Sequence, residues 1–123
     1  MPKRKLDPLP AAAFQILLSL SERDQHGYAI MRQVEEQTAG RVRLGPGTLY
    51  SSIQALLEER LIEEVEPAQA PVEDGSVSST RKERRRFYHL TSSGRKVARS
   101  EADRLADILR IARVRKILRG EYV

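Results

Sequence analysis

The stretch RLGPGTLYSSIQALLEERLIEE, residues 43–64, decides the fold, because it joins a glycine-rich turn to a helix and that helix to a strand. Glycine loses conformational entropy inside a helix, and proline lacks the backbone donor. Gly45, Pro46 and Gly47 are therefore expected to lead into a helix, with the proline near its first turn. Apolar residues then recur at the spacing of a buried helical stripe, at Leu49, Ile53, Leu56 and Leu57. The pattern predicts a helix that ends near Arg60 and buries one face.

The opposite face of this helix is small, polar and almost uncharged until Glu58. It carries Thr48, Ser51, Gln54 and Ala55, with Tyr50 at its border. A helix that faces solvent normally carries lysine and glutamate, so this face is expected to contact another molecule. The alternative is a helix whose outer face happens to be neutral.

Two further helices are predicted before this one. A short basic arm, residues 1–8, leads into a first helix over residues 9–22. The first helix is apolar on more than one face and is expected to pack between two layers. Residues 23–40 predict a second helix, with Gly40 just past its end.

Two short β-strands are predicted after the third helix, at residues 61–66 and 85–90, because branched and aromatic residues are frequent in both. Residues 67–83 between them are rich in Pro, Gly, Ser and Asp and predict a long, mobile loop. Three helices followed by such a hairpin is the order of a winged helix-turn-helix. In that fold the third helix enters the major groove, and the hairpin, called the wing, contacts the backbone or the minor groove.

A long fourth helix is predicted from an N-cap at Thr91 to about Leu118. Its small and apolar residues are spaced by four and three, as helix pairing requires, which favours a dimer. The predicted dimer interface consists of Phe14, Leu17, Leu18, Ala98, Ala102, Leu105, Leu109 and Ala112. The fold class is mainly α with a small β-hairpin: a winged helix-turn-helix over residues 1–90 and a C-terminal dimerisation helix with its tail over residues 91–123.

The predicted DNA contacts lie on the third helix and the wing. Short or planar polar side chains can donate to phosphates or read base edges, and long cations on the wing suit the backbone. These contacts are Gly47, Thr48, Tyr50, Ser51, Gln54, Arg84, Arg85 and Arg86. The alternative for the basic run at residues 81–86 is a solvated edge strand that its charges protect from aggregation.

Composition agrees with a polyanionic partner. The 123 residues suffice for one domain, and the net charge of +5 with a pI near 9.9 favours nucleic acid or an anionic surface. There is no cysteine, no apolar run of membrane length and no pattern typical of a signal peptide, so a cytoplasmic protein with no membrane partner is expected.

The sequence contains no motif typical of an enzyme active site. The two histidines, His26 and His89, lie far apart in sequence, and no cysteine is present to build a metal site with them. The Gly-Pro-Gly turn lacks the Lys-Ser/Thr ending of a phosphate-binding loop. We predict no catalytic residue, no metal and no cofactor.

Three stretches together resemble the PadR family of bacterial transcriptional regulators: HGYAIMRQVEE at 26–36, GTLYSSIQALLEERLIEE at 47–64 and RRFYHLTSSGRK at 85–96. The resemblance spans roughly residues 9–118. It implies a winged-helix homodimer held by its first and last helices, bound to a palindromic operator, usually as a repressor. It also implies that Tyr50 lies at the DNA surface.

The chain departs from the family pattern in two places. The loop at 67–83 is longer than expected of the family's wing, and the single short last helix resembles the small subgroup without an extended C-terminal domain. Some relatives release DNA when an aromatic compound binds at the dimer interface. This chain has no tryptophan to stack on such a compound, so the identity of any small-molecule effector stays open.

The leading hypothesis is therefore a dimeric, sequence-specific DNA-binding regulator. The alternative is a winged-helix interaction module that dimerises but binds nucleic acid only through non-specific electrostatics.

Overall fold

The computed structural model describes residues 6, 8–66 and 86–118. Within them the chain forms four helices, α1 (Ala11–Leu20), α2 (Gly27–Gln37), α3 (Pro46–Glu58) and α4 (Ser92–Val114). The three strands are β1 (Gln25–His26), β2 (Ile62–Val65) and β3 (Phe87–Leu90). Most of the predicted basic arm, the predicted loop at 67–83, Arg84 and Arg85 lie outside the described residues.

The strands form one antiparallel sheet in the order β1-β3-β2. The sequence predicted β2 and β3 as a hairpin but assigned residues 25 and 26 to the second helix, which was wrong. A two-residue strand is too short to show alternation. Tertiary contacts hold β1 in place: Gln25 is buried, and its Nε2 donates to the Ser19 carbonyl oxygen at 2.7 Å. The fold class is otherwise as predicted, a winged helix-turn-helix followed by a long helix.

The core lies between α1, α2, α3 and the inner face of the sheet. Its fully buried side chains include Ile16 and Leu17 of α1, Ile30 and Val34 of α2, Leu49 and Leu56 of α3, and Leu61 and Ile62 at the start of β2. The helical spacing of the apolar residues accounts for this arrangement, since each helix turns one stripe inward. No helix among the described residues is long and apolar enough to cross a membrane.

The start of α3 follows from its turn residues. Gly45 is the N-cap in an extended conformation (φ −71°, ψ 165°) and Pro46 occupies the first turn, where its missing N–H breaks no hydrogen bond. The predicted entry into the helix is therefore confirmed.

The start of α4 is held against Leu61, the residue just before β2. Thr91 caps the helix as predicted, since its Oγ1 accepts from the Gly94 N–H at 3.0 Å, and its N–H donates to the Leu61 carbonyl oxygen at 3.1 Å. A β-carbon at Gly94 would run into that same carbonyl oxygen. The glycine therefore permits the close approach that joins the last helix to the winged-helix core.

The first helix packs against α2, α3, β3 and α4, which explains its wide apolar surface. Leu17 is fully buried in the core of the single chain, which corrects its predicted place at a dimer interface. Phe14 is half-buried, and the neighbouring Leu18 stays exposed. Leu17 and Leu18 both fit the apolar surface of α1 that the sequence predicts. Only the packing of the other elements against α1 shows which of the two is buried.

Candidate nucleic-acid interface

The outer face of α3 is open to solvent. Gly47, Thr48, Ser51 and Gln54 are exposed, and Tyr50 is 50% exposed. Leu49, Ile53 and Leu56 on the other side are buried, so the helix has the two faces that the sequence predicted. Ala55 differs from its predicted place on the outer face, since it is half-buried and packs against the core. The exposed face thus runs from the helix N-terminus through Gln54 without an acidic side chain.

The N-terminus of α3 is also unobstructed. The N-cap Gly45 provides no side chain to accept from the first-turn N–H groups. A β-carbon at Gly45 or Gly47 would meet no atom within 4 Å among the residues the structure describes. Free first-turn N–H groups and the positive end of the helix dipole favour an anion such as a phosphate.

The side chain of Tyr50 packs against a glycine of the preceding helix. A β-carbon at Gly27 would lie 2.5 Å from Tyr50 Oη and 3.0 Å from Tyr50 Cζ, so the ring rests against the bare backbone where α2 begins. This contact was not predicted from the sequence. The His-Gly-Tyr motif was the available signal, because a glycine at a helix start permits close approach.

The wing places a cation beside this face. Arg86 is exposed, and its Nε lies 3.4 Å from Glu64 Oε2. Burial raises the pKa of the Tyr88 hydroxyl above its ordinary value, and the nearby Glu64 and Tyr50 add to the rise while Arg86 opposes it. Glu64 pairs with Tyr88 across the β2–β3 ladder, and Arg86, one of the three predicted wing arginines, is the ion-pair partner of Glu64.

Two further side chains at the start of α2 were not singled out from the sequence. Tyr28 is exposed, and the guanidinium of Arg32 lies 5.9 Å from the centre of its ring, within the range of a cation–π contact. Both follow Gly27 along the helix. An aromatic residue and a cation one helical turn apart are common on solvent-exposed helices, so this spacing did not identify Tyr28 and Arg32 as functional residues.

The family model described as the transcriptional regulator PadR-like family matches residues 16–100. This chain belongs to the PadR-like family. Its members are transcriptional regulators that bind DNA, and they are not enzymes, which agrees with the absence of a legible catalytic motif.

Solved structures share the fold of this PadR-like chain. A PadR-like regulator from Bacillus cereus is 19% identical, with a TM-score of 0.63, covering 97% of this chain and 100% of that one. A PadR family regulator from Clostridium difficile is 22% identical, with a TM-score of 0.61 and coverage of 81% and 94%. RosR of H. salinarum is 26% identical, with a TM-score of 0.57 and coverage of 92% and 93%.

One curated protein also matches, an uncharacterized 37.1 kDa protein in a transposon of Streptomyces fradiae. It is 34% identical over 95 residues, which are 77% of this chain and 23% of that protein. The PadR-like chain therefore spans about a quarter of the length of that relative.

The last helix of the PadR-like chain presents a broad apolar surface. Of the predicted interface residues, Ala98, Leu105 and Ala112 are half-buried, Ala102 is exposed, and Leu109 is 51% exposed. Beyond them the helix and its end expose further large apolar side chains, namely Ile108, Ile111, Val114 and Ile117. The exposed apolar area is thus concentrated in the C-terminal half of α4.

Proposed function

We propose that this chain is a cytoplasmic, homodimeric, sequence-specific DNA-binding repressor. In this proposal α3 enters the major groove, where Tyr50, Ser51 and Gln54 contact base edges and nearby phosphates. Gly47 and Thr48 receive a phosphate at the helix N-terminus.

The observation that carries the proposal is the outer face of α3. It is exposed, polar and free of acidic side chains from Gly47 to Gln54, at the helix that winged-helix proteins insert into DNA. The first turn offers backbone N–H groups without a side-chain cap. A face of this kind can approach a polyanion closely, whereas an acidic face would be repelled.

The wing is proposed to supply sequence-independent affinity through Arg84, Arg85 and Arg86. Arg86 supports this role, since its side chain is 63% exposed just before β3. Arg84 and Arg85 enter the proposal from the sequence alone.

The apolar surface of α4 supports the proposed homodimer, in which Phe14 and Leu18 of α1 join Ala98, Ala102, Leu105, Leu109 and Ala112. A two-fold dimer presents two copies of α3, so a palindromic operator is expected, with half-sites about 34 Å apart. Repression, and a small-molecule effector of unnamed identity, are taken from the family resemblance.

The test begins with selection of bound sequences from a random DNA pool, followed by titration of matched and scrambled duplexes over a salt series. Gln54→Ala should change the preference at one base position in each half-site, by about 1–3 kcal/mol. Arg86→Ala should weaken both duplexes alike and reduce the log–log salt slope by about 0.9. A footprint of the wild type should show two inverted half-sites.

The same titration distinguishes this proposal from the alternative, an interaction module that binds nucleic acid without sequence specificity. The affinity of such a module for the matched and the scrambled duplex would fall in parallel as the salt concentration rises. If Gln54→Ala lowered binding of both duplexes equally, α3 would be a docking surface and the proposed reader would be wrong.

A further inference from the structure

Glu64 and Arg86 form an ion pair at the base of the wing, with Arg86 Nε 3.4 Å from Glu64 Oε2. Glu64 pairs directly with Tyr88 across the β2–β3 ladder, and Arg86 lies two residues before Tyr88. Because side chains alternate along a strand, Glu64, Tyr88 and Arg86 share one face with the buried pair Ile62 and Leu90. That face is the one that packs on the helices, and beyond Tyr88 it emerges into solvent.

The neighbouring side chains place this pair beside the proposed DNA surface. Tyr88 is only 4% exposed, and burial raises the pKa of its hydroxyl, on which Glu64, Arg86 and Tyr50 also act, so these side chains lie in one region of the surface. Tyr50 in turn borders the outer face of α3. The carboxylate of Glu64 therefore lies where the wing and α3 would jointly approach DNA.

A carboxylate at this place needs an explanation. The side chains of Arg86 and Glu64 are 63% and 47% exposed, and an ion pair so exposed adds little to folding stability. A guanidinium that donates to a carboxylate has fewer donors left for a phosphate, because both anions accept from the N–H groups at its edge. The contact thus acts against DNA binding while contributing little to the fold.

We propose that Glu64 is an intramolecular competitor for phosphate, which holds Arg86 by its Nε until the DNA backbone displaces it. This inference rests on the proposed DNA-binding function and adds a positioning residue to it. The competition lowers the affinity for all DNA sequences by the same factor, so the ratio of operator to non-operator affinity stays unchanged.

The test is a double-mutant cycle on the full chain, with DNA affinity measured on matched and scrambled duplexes. Glu64→Gln should raise the affinity for both by about two- to fivefold, the range expected of an exposed ion pair. In an Arg86→Gln background the same substitution should have little effect, because no cation remains to be released.

Glu63→Gln is the matched control, since Glu63 is exposed, lies next in the chain and pairs with His89 on the opposite face of the strand. It removes the same charge without touching Arg86 and should change affinity much less. An equal gain from Glu63→Gln, or a gain from Glu64→Gln that persists without Arg86, would show general repulsion and overturn the proposal.

Failure of this inference is separable from failure of the proposed function. A wild type that binds neither duplex at low salt overturns both. A wild type that binds normally, while Glu64→Gln changes nothing, overturns the competitor role alone. Circular dichroism checks folding of each variant, and Glu64→Thr, a neutral residue suited to strands, repeats the test should Glu64→Gln unfold.

Discussion

Gly27 and Tyr50 are in contact where α2 meets α3, and the contact exists because position 27 has no side chain. A β-carbon there would lie 2.5 Å from Tyr50 Oη. Gly27 is buried, whereas the ring it seats is half exposed and borders the outer face of α3. The orientation of a proposed DNA contact on one helix is thus set by the start of another.

Gly27→Ala should push the Tyr50 ring aside without breaking the fold, since the nearest atom is the free end of a side chain. We expect a loss of up to about 1 kcal/mol in the free energy of unfolding, the low end for overpacking, and weaker binding of DNA. Urea unfolding of Gly27→Ala, Tyr50→Ala and the double variant measures the coupling. Effects that add within about 0.5 kcal/mol would contradict the contact.

Gly94→Ala should be far more damaging, because the obstacle is the backbone carbonyl of Leu61, which cannot swing away. We expect about 2–3 kcal/mol of destabilisation in denaturant unfolding, as overpacking forces the start of α4 off β2. The control is Ser93→Ala at the exposed neighbouring position, which should stay within about 0.5 kcal/mol of the wild type. Equal stability of the two variants would show that α4 is not fastened at Gly94.

Leu109→Glu should convert the proposed dimer into monomers without unfolding the protomer, because Leu109 is exposed in the single chain and would bring an unpaired charge to the interface. Sedimentation measures the oligomeric state. Ser100→Glu is the control, since Ser100 is exposed and lies nine residues earlier, on the opposite side of the helix. A wild type that sediments as a monomer at micromolar concentration would contradict the homodimer.

Tyr88 should make stability fall in alkaline solution. Its folded-state pKa is raised, chiefly by burial, above an unfolded value of about 10, so the unfolded chain loses the proton first as pH rises. The contribution is complete below about pH 10 and is lost as pH rises through the folded-state pKa. The free energy of unfolding of Tyr88→Phe should therefore decline less between about pH 9 and pH 11 than that of the wild type.

Tyr28→Phe makes the same chemical change at an exposed tyrosine and serves as the control for the alkaline series. It should follow the wild type. An identical alkaline slope for Tyr88→Phe and the wild type would mean that the burial of Tyr88 does not oppose its ionisation.

The sequence alone predicted the parts of this molecule that depend on local rules. The periodicity of Leu49, Ile53 and Leu56 identified α3 and its two faces, the Gly-Pro-Gly turn identified its start, and Thr91 identified the start of α4. These signals are legible because helix periodicity, turn conformation and capping act between residues a few positions apart. The order of the elements then sufficed for the winged helix-turn-helix.

Only the tertiary structure decided which side chains meet across elements. It placed Leu17 inside the protomer and Leu18 outside, added β1 to the edge of the sheet, and joined Glu64 to Arg86. It also set Tyr50 on Gly27, 23 positions apart in the sequence. Spacing along a chain fixes the direction of a side chain within its own helix or strand, but the neighbour it finds depends on how those elements pack, and sequence separation carries no record of that packing.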